Sequence, residues 1–196
     1  MTGSTVTFTI DPSQRSAVIS RFLPAAAGLA LSMLVVPSAR AEGSLFNAVA
    51  VDLSKFVLVS APIGTGDRSQ LNIYEQRSDK RPCFAVSGSS PAVVNPLLSG
   101  FDFSGICNRY IDGNGYSLRI GGDDLGTRYR ITVVNTGRDM ELRASPSRER
   151  SQQSFLIATT GGAGRSFLQF NFQPGWTLKR RAYGTKALGH IYLYRD

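Results

Sequence analysis

Ile106 to Ile120 (ICNRYIDGNGYSLRI) consists of two short alternating runs flanking Asp112-Gly113-Asn114-Gly115. In the second run Tyr116, Leu118 and Ile120 share one face while Ser117 and Arg119 share the other, the period-two signature of a strand. Asn-Gly supplies the positive φ angles that a type I′ turn requires, so the stretch predicts a β-hairpin.

The same pattern recurs in both directions. Toward the N-terminus, Phe56-Val57-Leu58-Val59 reads as a buried strand stopped by Pro62, Gly64-Thr65-Gly66-Asp67 as a turn, and Leu71-Asn72-Ile73-Tyr74-Glu75 as a half-buried strand. Arg81-Pro82-Cys83-Phe84-Ala85-Val86 reads as a short strand entered through a proline. Residues 87–105 are rich in Pro, Ser and Gly but carry Val93-Val94, Leu97-Leu98 and Phe101/Phe103, which predicts an ordered loop tucked beneath the core. Toward the C-terminus, Arg130-Ile131-Thr132-Val133-Val134 and Met140-Glu141-Leu142-Arg143 predict a second hairpin. A third is expected from Phe155-Leu156-Ile157-Ala158 and residues 167–172 around Gly161-Gly162-Ala163-Gly164. Residues 177–183 and 190–194 are the last two strands, and residues 145–153 (SPSRERSQQ) form an exposed loop. No segment keeps helical periodicity. About nine short strands, with turns at roughly 8–12-residue spacing, predict a single all-β domain, a sandwich or a barrel-like fold.

The first 41 residues stand apart. Arg15 and Arg21 precede an apolar run at 22–37 (FLPAAAGLALSMLVVP), followed by Ser38-Ala39-Arg40-Ala41. Small residues at Ala39 and Ala41 predict signal-peptide cleavage before Glu42. The apolar run has 16 residues, against about 20 needed to span a bilayer, so no transmembrane anchor is expected after cleavage. No Arg-Arg pair precedes the run, which argues against the twin-arginine route. The expected organisation is a signal peptide at 1–41 and one domain at 42–196, located in the periplasm, at the cell surface or outside the cell.

The whole chain carries a net charge of +8, with 22 basic and 14 acidic side chains. Most of the basic residues are arginine, a planar fork that matches carboxylates and phosphates. In an exported protein, that charge points away from nucleic acid and toward anionic polysaccharide, lipopolysaccharide or peptidoglycan. Cys83 and Cys107 are the two cysteines. In an oxidising compartment they are expected to form a disulfide. A zinc set would need more than the lone His190, and the spacing is not C-x-x-C.

Most enzyme templates fail for want of residues. One histidine excludes H-E-x-x-H, and no G-x-S-x-G elbow or nearby nucleophile accompanies His190 in the sequence. Gly161-Gly162-Ala163-Gly164-Arg165 lacks the Lys-Ser/Thr of a phosphate loop. Asp112, Asn114 and Asp123 match only part of a calcium loop, because Tyr116 and Ser117 stand where an oxygen ligand and a glycine are needed. No metal and no cofactor are expected. Asp102, Asp112, Asp123 and Asp124 are the candidates for an alternative, a hydrolase cleaving envelope polysaccharide or peptidoglycan by general acid–base chemistry.

The last two strands carry the binding expectation. His190, Tyr192 and Tyr194 share one face opposite Ile191 and Leu193, and Lys179, Arg181 and Tyr183 alternate with Leu178, Arg180 and Ala182. If those strands are neighbours, they form a basic-aromatic patch with Trp176 at its rim, suited to stacking on sugars and gripping acidic groups.

From Arg81-Pro82-Cys83 through Asp102-Phe103-Ser104-Gly105-Ile106-Cys107 the chain resembles a known family. The likeness continues at Asn114-Gly115-Tyr116-Ser117, Asp124-Leu125-Gly126, Pro174-Gly175-Trp176 and Leu188-Gly189-His190-Ile191-Tyr192-Leu193. Together these resemble an uncharacterised family of exported cyanobacterial proteins, domain of unknown function 3747. The resemblance implies no catalytic residues, since that family has no established activity. It implies a cell-envelope role, since some members carry S-layer-homology modules; none is expected beyond Asp196. The combined expectation is a non-catalytic envelope or extracellular accessory, with a purely structural envelope protein as a further alternative.

Overall fold

The computed structural model describes residues 45–97, 104–148 and 153–196. The signal segment with Ala39, Ala41 and Glu42, as well as Asp102, lies outside the described residues. So do Phe101 and Phe103 of the disulfide loop and residues 149–152 of the SPSRERSQQ loop.

The all-β expectation is borne out. In chain order the strands are β1 (Asn47–Ala50), β2 (Phe56–Ile63), β3 (Arg68–Gln76), β4 (Phe84–Ser87) and β5 (Val93–Pro96). There follow β6 (Cys107–Tyr110), β7 (Tyr116–Ile120), β8 (Asp123–Asp124), β9 (Tyr129–Asn135) and β10 (Met140–Pro146). The last five are β11 (Phe155–Thr159), β12 (Leu168–Gln169), β13 (Asn171–Phe172), β14 (Trp176–Tyr183) and β15 (Lys186–Arg195). Several span only two residues, too few to leave a periodic trace, so they exceed the nine expected. The strands form three sheets, ordered β1-β14-β15-β7-β8, β13-β11-β10-β9 and β4-β5-β12-β2-β3-β6. No helix among the described residues is long and apolar enough to cross a membrane.

All three sheets turn one face onto a common core. Leu58, Leu71 and Ile73 come from the six-stranded sheet, Leu142, Ala144 and Ile157 from the four-stranded sheet, and Leu118, Leu178, Ile191 and Leu193 from the five-stranded sheet. Their burial is the main favourable term in folding, at about 25 cal/mol per Å² of apolar surface. The stretch from Leu71 to Glu75 is buried on both faces rather than half-buried. Val57, Val59, Tyr74 and Val94, with Phe84 and Phe167, form a second apolar layer behind the six-stranded sheet. The β4–β5 hairpin supplies Val94 to that layer, so part of the expected loop is a strand packed on the core, whereas Val93 and Leu97 are exposed and Leu98 lies outside the described residues. The base of the loop is held by the Cys83–Cys107 disulfide, with Cα atoms 5.8 Å apart.

Three local expectations change. The stretch at 106–120 is not a hairpin: β6 pairs with β3, and β7 runs parallel to β15. The turn exists, with Gly115 N–H donating to the Asp112 carbonyl at 2.9 Å, but neither Gly113 nor Gly115 has positive φ. Turns of that ordinary hand splay their flanking strands instead of pairing them. Gly115 is needed for close approach: a Cβ there would lie 3.0 Å from the Tyr110 Cβ. Second, Pro62 does not end its strand. It lies past the end of β12, on a flank of β2 with no second partner, where strands tolerate proline. Third, the run at 167–172 is shared between two sheets, β13 pairing with β11 while β12 pairs with β2 and β5. The hairpin of β9 and β10 forms as expected, with Asn135 opposite Met140.

Candidate functional site

The site lies on the face of the five-stranded sheet directed away from the core. β14 and β15 are antiparallel neighbours, with Lys179 opposite Tyr192 and Thr177 opposite Tyr194. β15 in turn pairs with β7, which sets Ser117 opposite Tyr192 and Arg119 opposite Tyr194. Period-two alternation sends Ile191, Leu193, Leu178 and Leu118 into the core and these polar residues outward.

The patch expected from sequence assembles except for one member. Lys179 Nζ sits 3.6 Å from the Tyr194 ring centroid. The guanidinium carbons of Arg119 and Arg181 lie 5.1 and 5.0 Å from that of Tyr192, and His190 meets Tyr192 edge-on at 5.5 Å. Arg181 also lies 4.9 Å from the Phe46 ring, which packs edge-on against Tyr183. Trp176 is a correction. It is buried in the core, against Phe155 and Arg195, because it stands on the inward alternation of β14. The rings of Tyr192 and Tyr194 are themselves buried beneath the protein's own cations. Among the described residues of this face, Tyr183, 58% exposed, offers the open ring.

Asp124 organises the edge of this face. Its Oδ2 accepts from Arg181 Nη2 at 2.9 Å and from the Tyr192 hydroxyl at 2.7 Å, while Oδ1 accepts from Gly126 N–H at 3.2 Å. Arg181 Nε donates to the Tyr192 oxygen at 2.7 Å. Burial alone would raise the Asp124 pKa. The Tyr192 and Gly126 hydrogen bonds and the Arg181 charge outweigh it, holding the carboxyl below its usual range. A general acid needs the opposite, so Asp124 favours an anchoring role. Asp112 caps its own turn, accepting from Asn114 N–H at 2.8 Å, and Asp123 is an exposed partner of Arg128.

His190 departs most from its expected surroundings. Its Nε2 lies 2.9 Å from Ser117 Oγ and its Nδ1 lies 2.8 Å from the Asn114 carbonyl oxygen. Both side chains are largely buried, yet both line a cleft of about 400 Å³ with Asn114, Asp124, Gly126, Thr127 and Arg181. A neighbouring cleft of about 470 Å³ also includes Ser117 and Gly126. Gly126 lets its loop pass close to the serine: a Cβ there would sit 3.1 Å from Ser117 Cβ and 3.4 Å from Oγ. The sequence showed no nucleophile near His190. The two residues lie 73 positions apart, and a parallel pairing between such distant strands has no local signature.

Sequence reading also missed a second ionic cluster, on the core side. Glu75 Oε1 accepts from Arg180 at 2.6 Å, and Oε2 accepts from the Tyr110 hydroxyl at 2.6 Å and from Asn108 at 2.9 Å. Among the described residues, no group of three or more His, Cys, Asp or Glu side chains is placed to hold a metal.

A family model described as Protein of unknown function (DUF3747) matches residues 23–196. The chain belongs to that family. The match takes in every strand and both ionic clusters of the DUF3747 chain. No curated protein and no solved structure matches it.

Proposed function

We propose that this member of the family is an exported accessory of the cell envelope or extracellular space that binds an anionic polymer on the outer face of its five-stranded sheet. Anionic polysaccharide, lipopolysaccharide and peptidoglycan are the candidate ligands. The carrying observation is the pairing of β14 with β15, which sets Lys179 against Tyr194 and both Arg181 and His190 against Tyr192, with Tyr183 linked to Arg181 through Phe46. Arg119, Lys179 and Arg181 stand beside two carboxylates bonded to this set, Asp124 to Arg181 and Tyr192 and Asp196 to the Tyr194 hydroxyl, and the arginine forks are of the kind that grip the acidic groups of a polyanion. The rings of Tyr192 and Tyr194 already carry cations, so recognition there is ionic, with the exposed Tyr183 as the stacking edge.

Export is supported by three features. The Cys83–Cys107 bridge suits an oxidising compartment. The family match reaches back to residue 23, inside the apolar run. The resemblance to exported cyanobacterial proteins points the same way. The test is co-sedimentation of the purified protein with peptidoglycan, lipopolysaccharide and an acidic polysaccharide, at low and high salt. Retention at low salt that is lost at high salt is expected; absence of salt-sensitive retention on all three overturns the reading. The mass of the protein recovered from cells should begin at Glu42, and recovery of an intact 1–41 segment refutes export by this signal.

A further inference from the structure

We propose that Ser117 and His190 form a nucleophile–base dyad that cleaves a short-chain O-acyl ester carried on a polar molecule. A serine hydroxyl attacks a carbonyl only when a base within hydrogen-bond reach takes its proton and a third group fixes the base. All three elements are present. The Asn114 carbonyl can only accept, so Nδ1 of His190 must carry a proton. Burial, the largest influence on His190, pushes its pKa down and keeps the ring neutral. Nε2 is then bare and accepts the Ser117 hydroxyl proton at 2.9 Å. This is the tautomer that a serine nucleophile requires.

The chemistry balances without a cofactor. Ser117 Oγ bonds to the ester carbonyl carbon, its proton passes to His190 Nε2, and the carbonyl π electrons move onto oxygen. Arg181, lining the same cleft and held by Asp124, supplies the positive charge for that oxyanion. The oxyanion collapses, the C–O bond to the alcohol breaks, and Nε2–H returns its proton to the departing alkoxide. Water then attacks the acyl-serine, gives a proton to Nε2, and Ser117 regains it as the carboxylic acid leaves. A backbone carbonyl rather than a carboxylate orients the imidazole, and the charge of Asp124 that favours an imidazolium is opposed by that of Arg181, so the dyad suits an ester better than an amide. The cleft of about 400 Å³ is lined by Ser117, His190, Asp124, Thr127 and Arg181 among others, and such polar walls suit an acylated sugar better than a lipid chain.

The test is incubation of the full chain with a fluorophosphonate probe and with p-nitrophenyl acetate, followed by peptide mass mapping. A single adduct at Ser117 is expected, with labelling at least about 100-fold slower in His190→Gln. The wild-type labelling rate should reach a plateau toward alkaline pH and fall in acid through a histidine pKa depressed below the usual value. The groups facing that histidine are Ser117, the Asn114 carbonyl, Tyr192, Asp124 and Arg181. This profile decides the matter even if the substituted chain does not fold. A folded wild-type chain with no adduct at Ser117, a His190→Gln chain labelled at the wild-type rate, or a rate that shows no loss in acid down to the pH at which the chain unfolds overturns the proposal. Polymer retention is a separate readout, so either reading can fail alone.

Discussion

Arg180 and Arg181 are consecutive on β14 and point to opposite sides of the sheet. Arg180 turns inward and reaches Glu75 on β3 and Tyr110 on β6, so its carboxylate partner joins the six-stranded sheet to the five-stranded one. Arg181 turns outward and meets Asp124 on β8 and Tyr192 on β15, all within a single sheet. The two ion pairs have similar exposure, 17% and 11% for the inner side chains against 21% and 21% for the outer. They differ in what they connect. The inner pair holds sheets together, whereas the outer pair holds the wall of a cleft.

Breaking the inner pair should have the largest effect. Arg180→Met leaves the Glu75 charge in a site already closed by Tyr110 and Asn108, a loss of about 3 kcal/mol in urea unfolding. Glu75→Gln together with Arg180→Met should recover part of that loss, because no uncompensated charge remains. If Arg180→Met costs under about 1 kcal/mol, the inner pair does not join the sheets as described. The pH dependence follows in sign. Burial raises the Glu75 pKa, but its bonds to Tyr110, Asn108 and Arg180 prevail and lower it from 4.5. Its contribution is therefore fully present above the unfolded value and lost as pH falls through the depressed folded one. Arg180→Met should flatten that acid limb of the stability curve.

The contrast between the arginines also marks how far the sequence could be read. Alternation in residues 177–183 and 190–194 was enough to place Lys179, Arg181, Tyr192 and Tyr194 on one face, because period two is a local property. The core face of β7 was equally plain, in Tyr116, Leu118 and Ile120. Alternation could not say what would cover the inward Arg180, since Glu75 lies 105 residues away. Nor could it bring Ser117 to His190 across the one parallel pairing among the described strands. The Asn114-Gly115 signal failed for a different reason. Asn-Gly predicts a glycine used for its conformational freedom, whereas this one serves the close approach to Tyr110. Trp176 followed its strand's alternation inward, a face that its aromatic character alone did not disclose.

A smaller effect is expected from the outer pair. Asp124→Asn removes the charge that fixes Arg181 and the Tyr192 hydroxyl, and should cost about 1–2 kcal/mol in the same unfolding assay. Its loss should add to that of Arg180→Met within about 0.5 kcal/mol, as independent sites do. Strong coupling between the two substitutions would mean that the sheet transmits strain from one face to the other, and the division between joining and shaping roles would fail. Because Asp124 also holds Arg181 in the cleft, Asp124→Asn should slow Ser117 labelling more than its stability loss explains.

Tyr183 should show the smallest effect on stability and the sharpest one on binding. Its ring is 58% exposed and packs edge-on against Phe46 at 6.4 Å, so Tyr183→Ala should change unfolding free energy by no more than about 0.5 kcal/mol. An open ring beside Arg181 is well placed to stack on a sugar, and losing a contact of about 1 kcal/mol corresponds to roughly fivefold weaker retention on an acidic polysaccharide. The salt dependence of the remaining binding should be unchanged, since no charge is removed. Unaltered retention in Tyr183→Ala, with Lys179→Ala weakening it, would confine recognition on this face to its cations. Loss of stability instead would put Tyr183 with the inner cluster, as a residue that holds the fold.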